Sequence, residues 1–117
     1  MRNPSKARSS AFRSKLGFLA QHFRSQAQLA GLLEVDRSRV SRWLESDMPD
    51  SRNRNKVEAI EFVLSRLTSF LTAETAQKWL LGVNAHLGGQ RPVDLLRQGR
   101  VAEVIAAVEQ LETGAFA

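Results

Sequence analysis

Arg37, Ser38, Arg39, Ser41, Arg42 and Glu45 crowd into nine residues, and all but Arg39 share the face of a short helical segment opposite to Val40, Trp43 and Leu44. These side chains hydrogen-bond rather than react. A guanidinium can grip guanine bidentately and a serine can serve a base or a phosphate, while Gln26, at the start of the preceding segment, can hold a phosphate through its side chain and backbone N–H. Groups suited to covalent chemistry are scarce. His22 and His86 stand isolated, cysteine is absent, and the pair Gly88 and Gly89 lacks the further glycines and the lysine of a phosphate loop. No catalytic residue, no metal site and no cofactor is therefore expected.

Helical periodicity supplies the elements that position these groups. Phe12, Leu16, Leu19 and Phe23 recur at spacings of 4, 3 and 4 and predict a first helix. A second is predicted over Gln26–Leu33, with Ser25 as N-cap and Ala27, Leu29, Ala30 and Leu33 facing inward. A third is predicted over Arg37–Ser46, with Asp36 as N-cap. Residues 47–55 (DMPDSRNRN) read as a linker of turn formers. Val57, Ile60, Val63, Leu64, Leu67 and Leu71 then predict the longest helix. Thr72 caps another from Ala73 to Leu81, which Gly82 stops. Pro92 suits the first turn of a short helix ending at Gln98, with Gly99 after it. A final helix over Arg100–Leu111 buries Val101, Val104, Ile105, Val108 and Leu111, with Gly114 just past its end. No period-two pattern is present, so the expected fold class is all-α.

Charge divides the chain. Residues 1–56 hold 12 Lys/Arg against 5 Asp/Glu, a net of +7, whereas residues 57–117 hold 5 against 7, a net of −2. A clustered positive face is the footprint of phosphate binding, although solvated basic surfaces without a nucleic acid are also common. Residues 1–10 (MRNPSKARSS) read as a flexible basic arm, and they lack the apolar stretch of a signal peptide. No stretch approaches the roughly 20 apolar residues of a membrane span. The expected location is the cytoplasm.

Two short helices joined by only Glu34, Val35 and Asp36 have the form that sets a recognition helix in the major groove of DNA. Ala30 is small where such helices cross, and Val35 caps the core in the turn. The run SQAQLAGLLEVDRSRVSRWLES resembles the helix-turn-helix of Xre-class transcriptional regulators, with Glu34 where such turns usually carry glycine. Gln26, Arg37, Ser38, Arg39, Ser41, Arg42 and Glu45 are the DNA-contact candidates. The same residues also fit two core helices with a solvated basic face.

Behind this half lies a segment punctuated by glycine and proline. Trp79 reads as core, packed by Leu80, Leu95 and Val104, and Asp94 suits the first turn of its helix. Phe116 places an aromatic almost at the end of the sequence, where it either folds back on its own core or enters a partner. The pattern Trp79–Leu80, Asn84, Leu87–Gly88–Gly89, Arg91–Pro92, Asp94–Leu95–Leu96, Gly99, Val104 and Gly114–Ala115–Phe116 resembles the toxin-binding domain of the Xre/MbcA/ParS antitoxins.

That resemblance implies a type II antitoxin that covers the substrate cleft of a RES-domain, NAD-consuming toxin without doing chemistry itself. By the same analogy Arg97, Arg100, Gly114, Ala115, Phe116 and Ala117 are the toxin-contact candidates. The expected organisation is a basic arm (1–10), a helix-turn-helix region (11–55), a long connecting helix (56–71) and a toxin-binding domain (72–117). Expected partners are the RES-domain toxin, operator DNA and a second copy of the chain, a homodimer within a larger complex, with no membrane. A plain helix-turn-helix repressor whose C-terminal half dimerises is the alternative reading.

Overall fold

The computed structural model describes the backbone of residues 4–115 and the side chains of residues 6–115. Seven α-helices follow one another: α1 (Pro4–His22), α2 (Gln26–Leu33), α3 (Arg37–Glu45), α4 (Ser51–Thr68), α5 (Ala73–Leu81), α6 (Pro92–Arg97) and α7 (Val101–Ala115), with a 3₁₀ turn, Ala85–Leu87, after α5. Among the described residues there is no strand, only an isolated antiparallel bridge between Asn84 and Gln90. The fold is all-α. Among the described residues no helix is long and apolar enough to cross a membrane.

The chain divides between Glu61 and Phe62 into two compact units. In the first, Phe12, Leu16 and Leu19 of α1, Leu29 and Leu33 of α2, Val40 and Trp43 of α3, and Val57 and Ile60 of α4 are buried. Phe12 meets Trp43 edge to face at 6.4 Å between ring centroids, a favoured aromatic geometry. Lys56 Nζ donates to the Leu33 carbonyl and so answers an orphan acceptor at the end of α2. In the second unit, Leu64 and Leu67 of α4, Leu80 of α5, Leu95 and Leu96 of α6, and Val104 and Val108 of α7 are buried.

Capping chemistry explains most boundaries. Ser25 Oγ accepts from Gln28 N, and Thr72 Oγ1 accepts from Thr75 N, as their positions predict. Asp36 departs from expectation: its carbonyl accepts from Arg39 and Val40, but its side chain makes no cap bond. Gly82 ends α5 in an extended conformation, where an added Cβ would stand 2.9 Å from the Lys78 carbonyl oxygen.

Four boundaries move. The arm expected over residues 1–10 is helical from Pro4, whose fixed φ suits the first turn of a helix; residues 1–3 lie outside the described residues. The long helix begins at Ser51 rather than Lys56, because Asp50 Oδ1 accepts from the backbone N–H and the side-chain amide of Asn53. It ends at Thr68 rather than Leu71, where the Thr68 and Ser69 hydroxyls bond the carbonyls of Leu64, Ser65 and Arg66. The last helix continues to Ala115, so Gly114 is helical and forms no turn beyond it. The Arg66–Glu112 ion pair at 2.7 Å and the Thr113 hydroxyl on the Glu109 carbonyl hold that last stretch. Burial shifts as well: Ala27 is exposed, Leu32 is buried in its place, and Val101, Ile105 and Leu111 are only half-buried.

Two helices end in the same hydrogen-bond motif with different residues at its critical position. After α6, Gly99 lies at φ 80°, with Gly99 N donating to Leu96 O and Arg100 N to Leu95 O. After α2, Glu34 lies at φ 57°, with Glu34 N donating to Gly31 O and Val35 N to Ala30 O. This is the Schellman arrangement, whose left-handed residue is usually glycine. A Cβ in that conformation costs about 1 kcal/mol, and a carboxylate opposes the negative end of the helix dipole. Glu34→Gly is therefore expected to stabilise the first unit by about 1 kcal/mol in urea denaturation; a lower midpoint would contradict this account.

Candidate functional site

The α2–α3 pair presents the first candidate surface. Arg37, Ser38, Arg42 and Glu45 are exposed, and Gln26 and Ser41 are half-buried. Arg42 Nε lies 3.7 Å from Asp47, a loose exposed pair that leaves the guanidinium fork largely uncommitted. Arg39 points elsewhere: its guanidinium stacks over the Trp43 ring at 5.4 Å and, with the Asn53 hydrogen bond acting first, helps hold the Asp50 carboxyl below its usual range. Of the seven DNA-contact candidates, Arg39 is the one whose guanidinium stacks on the core indole. The periodicity of α3 already hinted at it, since Arg39 is four residues before Trp43 and belongs to the same face.

The second candidate surface belongs to α5, the 3₁₀ turn and α7. Trp79, Asn84, His86, Ala107, Gln110, Leu111, Gly114 and Ala115 line an open groove of about 410 Å³. No formally acidic or basic side chain other than His86 lines it. Trp79, expected as core, is half-buried and forms part of the wall, and α7, which runs one turn further than its apolar spacing indicated, carries Gly114 and Ala115 to the same groove. Asn84 Oδ1 accepts from His86 N and so fixes the turn at the rim. Beside Asn84, Val83 is 78% exposed, the most exposed large apolar side chain among the described residues. Sequence reasoning passed over it, yet an apolar residue directly after a helix-stopping glycine belongs to no helical stripe and is free to face outward.

Arg97 and Arg100 are both engaged by carboxylates of their own unit. Arg97 is only 15% exposed at its side chain and donates to Asp94 Oδ1 at 2.8 Å, while Arg91 grips the same carboxylate with Nε and Nη2. Arg100 is exposed, and its guanidinium forms a two-point bridge to Glu103. Gly114 and Ala115 are exposed at the end of α7; Phe116 and Ala117 lie outside the described residues.

The Arg91 hydrogen bonds, followed by the charges of Arg91 and Arg97, hold the Asp94 carboxyl below the ordinary carboxylate range. A folded-state value below the unfolded one gives stability that is fully present at neutral pH and is lost as the pH falls through the depressed value. Wild type and Asp94→Asn are thus expected to differ most in melting temperature near neutral pH and to converge on acidification. A gap that stayed constant from about pH 7 to about pH 3 would remove Asp94 as its source.

No family model matches the chain. It is 33% identical over 92 residues to a probable mycobacterial cidal antitoxin of Mycobacterium tuberculosis, a match covering 79% of each protein. It is 23% identical over 90 residues to the mycobacterial cidal antitoxin MbcA of Mycobacterium bovis, covering 76% of this chain and 80% of that protein. Among solved structures, a chain of the crystal structure of the M. tuberculosis MbcT–MbcA toxin–antitoxin complex superposes with a TM-score of 0.67 at 21% identity. That superposition covers 99% of this chain and 100% of the other, and shows a shared fold.

Proposed function

The chain belongs to the MbcA-type family of mycobacterial cidal antitoxins, and from that premise we propose that its C-terminal unit neutralises a RES-domain, NAD-consuming toxin by covering the substrate cleft, while its N-terminal unit binds operator DNA and represses the operon of the pair. The observation that carries the reading is the reach of the likeness. A match of 92 residues is longer than either compact unit, so it runs into both. A plain repressor needs only the first.

Inhibition on this reading is steric. A groove without acidic or basic side chains other than His86 suits an apolar segment of a partner, and an occupied cleft excludes NAD without any proton or bond being moved by the antitoxin. The arginine-rich face of α3 suits base edges and phosphates, and two-fold operators call for a two-fold protein. Phe62 on α4 is 52% exposed beside Ile105 of α7 and is the apolar surface offered to a second copy.

Co-expression with a RES-domain toxin, which the reading expects to be encoded beside it, tests the reading. Growth and cellular NAD are expected to be preserved by the full chain, and NAD loss despite equal expression would overturn neutralisation. Filter binding to the upstream DNA tests the other half. Arg37→Ala combined with Arg42→Ala is expected to abolish preference for that sequence, and a wild-type protein without salt-dependent binding would overturn it.

A further inference from the structure

Between the end of α5 and the 3₁₀ turn, Gly82, Val83 and Asn84 have left one helix and not yet entered the next. Gly82 is extended at φ −93° and ψ 156°, and Asn84 at φ −130° and ψ 121°, with Val83 at negative φ between them. In an extended chain the N–H and C=O groups of successive residues point to opposite edges. Asn84 commits both of its groups to its own loop. Its N–H donates to the Gln90 carbonyl at 3.0 Å, and its carbonyl accepts from Gly89 N at 2.9 Å and Leu87 N at 3.0 Å, which makes the isolated antiparallel bridge. The groups of Val83 therefore face the other edge. Neither has a hydrogen-bond partner among the described residues.

A free donor, a free acceptor and a side chain 78% exposed make Val83 the open edge of a bridge whose other edge is filled. The edge is held in place on both sides, by Gly82 N on the Lys78 carbonyl and by the Asn84–Gln90 bridge. Its amide and carbonyl match the carbonyl and amide of an extended peptide, the pairing used when a partner adds a strand to a protein. A second copy of the chain is a poor occupant, because two such edges, each one residue long, would bury far less than the roughly 1,200 Å² of a stable interface. A partner already held nearby has no such shortfall. Val83 is joined to Asn84, a lining residue of the groove assigned above to the toxin, so the edge begins about 3.8 Å from that surface along the chain.

We propose that the toxin docks on the C-terminal unit with an extended segment that forms a two-bond backbone bridge to the N–H and C=O of Val83. This rests on the toxin-neutralising reading. Backbone pairing adds affinity whatever side chain the toxin carries at the paired position, and the exposed Val83 side chain adds an apolar contact beside it.

Amide hydrogen exchange of the full chain, read by NMR alone and with purified RES-domain toxin, tests it. In the free chain the Val83 amide is expected to exchange as an unbonded group while that of Asn84 is protected, and in the complex Val83 is expected to slow by about tenfold or more. Val83→Pro removes the donor and keeps an apolar side chain, and Gly82 already has the extended ψ that a following proline requires. It is expected to weaken toxin binding about fivefold or more, and Val83→Thr, which keeps the donor, to weaken it less. Should Val83→Pro melt below the wild type, exchange in the unaltered chain still decides. Bound toxin with the Val83 amide at its free rate would overturn the bridge and leave neutralisation standing. Full binding by a folded Val83→Pro would do the same. Slowing without toxin would also overturn it, assigning the edge to a second copy if it grew with protein concentration and to the chain itself if it did not. A wild-type chain that does not bind the toxin overturns the bridge and the neutralisation reading together.

Discussion

Trp43→Ala is expected to destabilise the N-terminal unit by about 3–5 kcal/mol and to eliminate DNA binding with it. Trp43 is 4% exposed, lies edge to face with Phe12 and supports the Arg39 guanidinium on its ring. Truncation removes the transfer free energy of an indole, opens a cavity between α1 and α3, and releases Arg39 from its stack. A small domain has a total stability on the order of 5–15 kcal/mol, so a loss of this size leaves much of the unit unfolded in mild denaturant. Urea denaturation followed by circular dichroism measures it. Trp43→Phe, which keeps an aromatic edge for Phe12, is expected to cost well under half as much. Equal losses for the two variants would show that the packing described here is not what holds α3 in place.

Removal of Gly114–Ala117 is expected to weaken toxin binding by about 30-fold or more, the loss associated with about 2 kcal/mol at a central contact. The fold should survive. Gly114 and Ala115 are exposed, and the residues that fasten α7, Glu112 to Arg66 and Thr113 to the Glu109 carbonyl, precede the cut. What disappears is one wall of the groove beside Trp79, together with Phe116. Val83→Asp probes the exposed apolar residue that precedes Asn84: at 78% exposure it should change stability little, yet a charge there should repel an apolar partner that covers this stretch as well as the groove. Titration of purified toxin into each variant decides between them. Full binding by the truncated chain would make the tail dispensable, and full binding by Val83→Asp would leave Val83 outside the docking surface.

Local chemistry made most helices legible in the sequence. Ser25, Thr72 and Pro92 act within three residues of themselves, so the starts of α2, α5 and α6 could be read without knowing anything distant. Phe12, Leu16 and Leu19 likewise declare the buried stripe of α1. What stayed hidden depends on partners far along the chain or on competition between signals. The end of α7 rests on Arg66, 46 residues away from Glu112. The residues before Phe12 have no apolar stripe to mark them as helical, and the polar run before Lys56 masked a helix start set by Asp50 and Asn53. Arg97 looked like a surface cation because its spacing to Asp94 says nothing about how little of it remains exposed. The candidate surfaces follow the same rule: the arginines of α3 were found from their face, whereas the Trp79 groove required three elements to be brought together.

Each compact unit holds one of the chain's two tryptophans, Trp43 sealed in the first and Trp79 at an open groove in the second. The molecule thus carries its own pair of optical reporters with contrasting surroundings. Emission from the sealed indole should lie to the blue and resist aqueous quenchers, while the indole at the groove should emit to the red and be quenched readily. With Trp43→Phe and Trp79→Phe to separate the two signals, melting of one half and docking at the other become two colours in a single cuvette, with no dye attached.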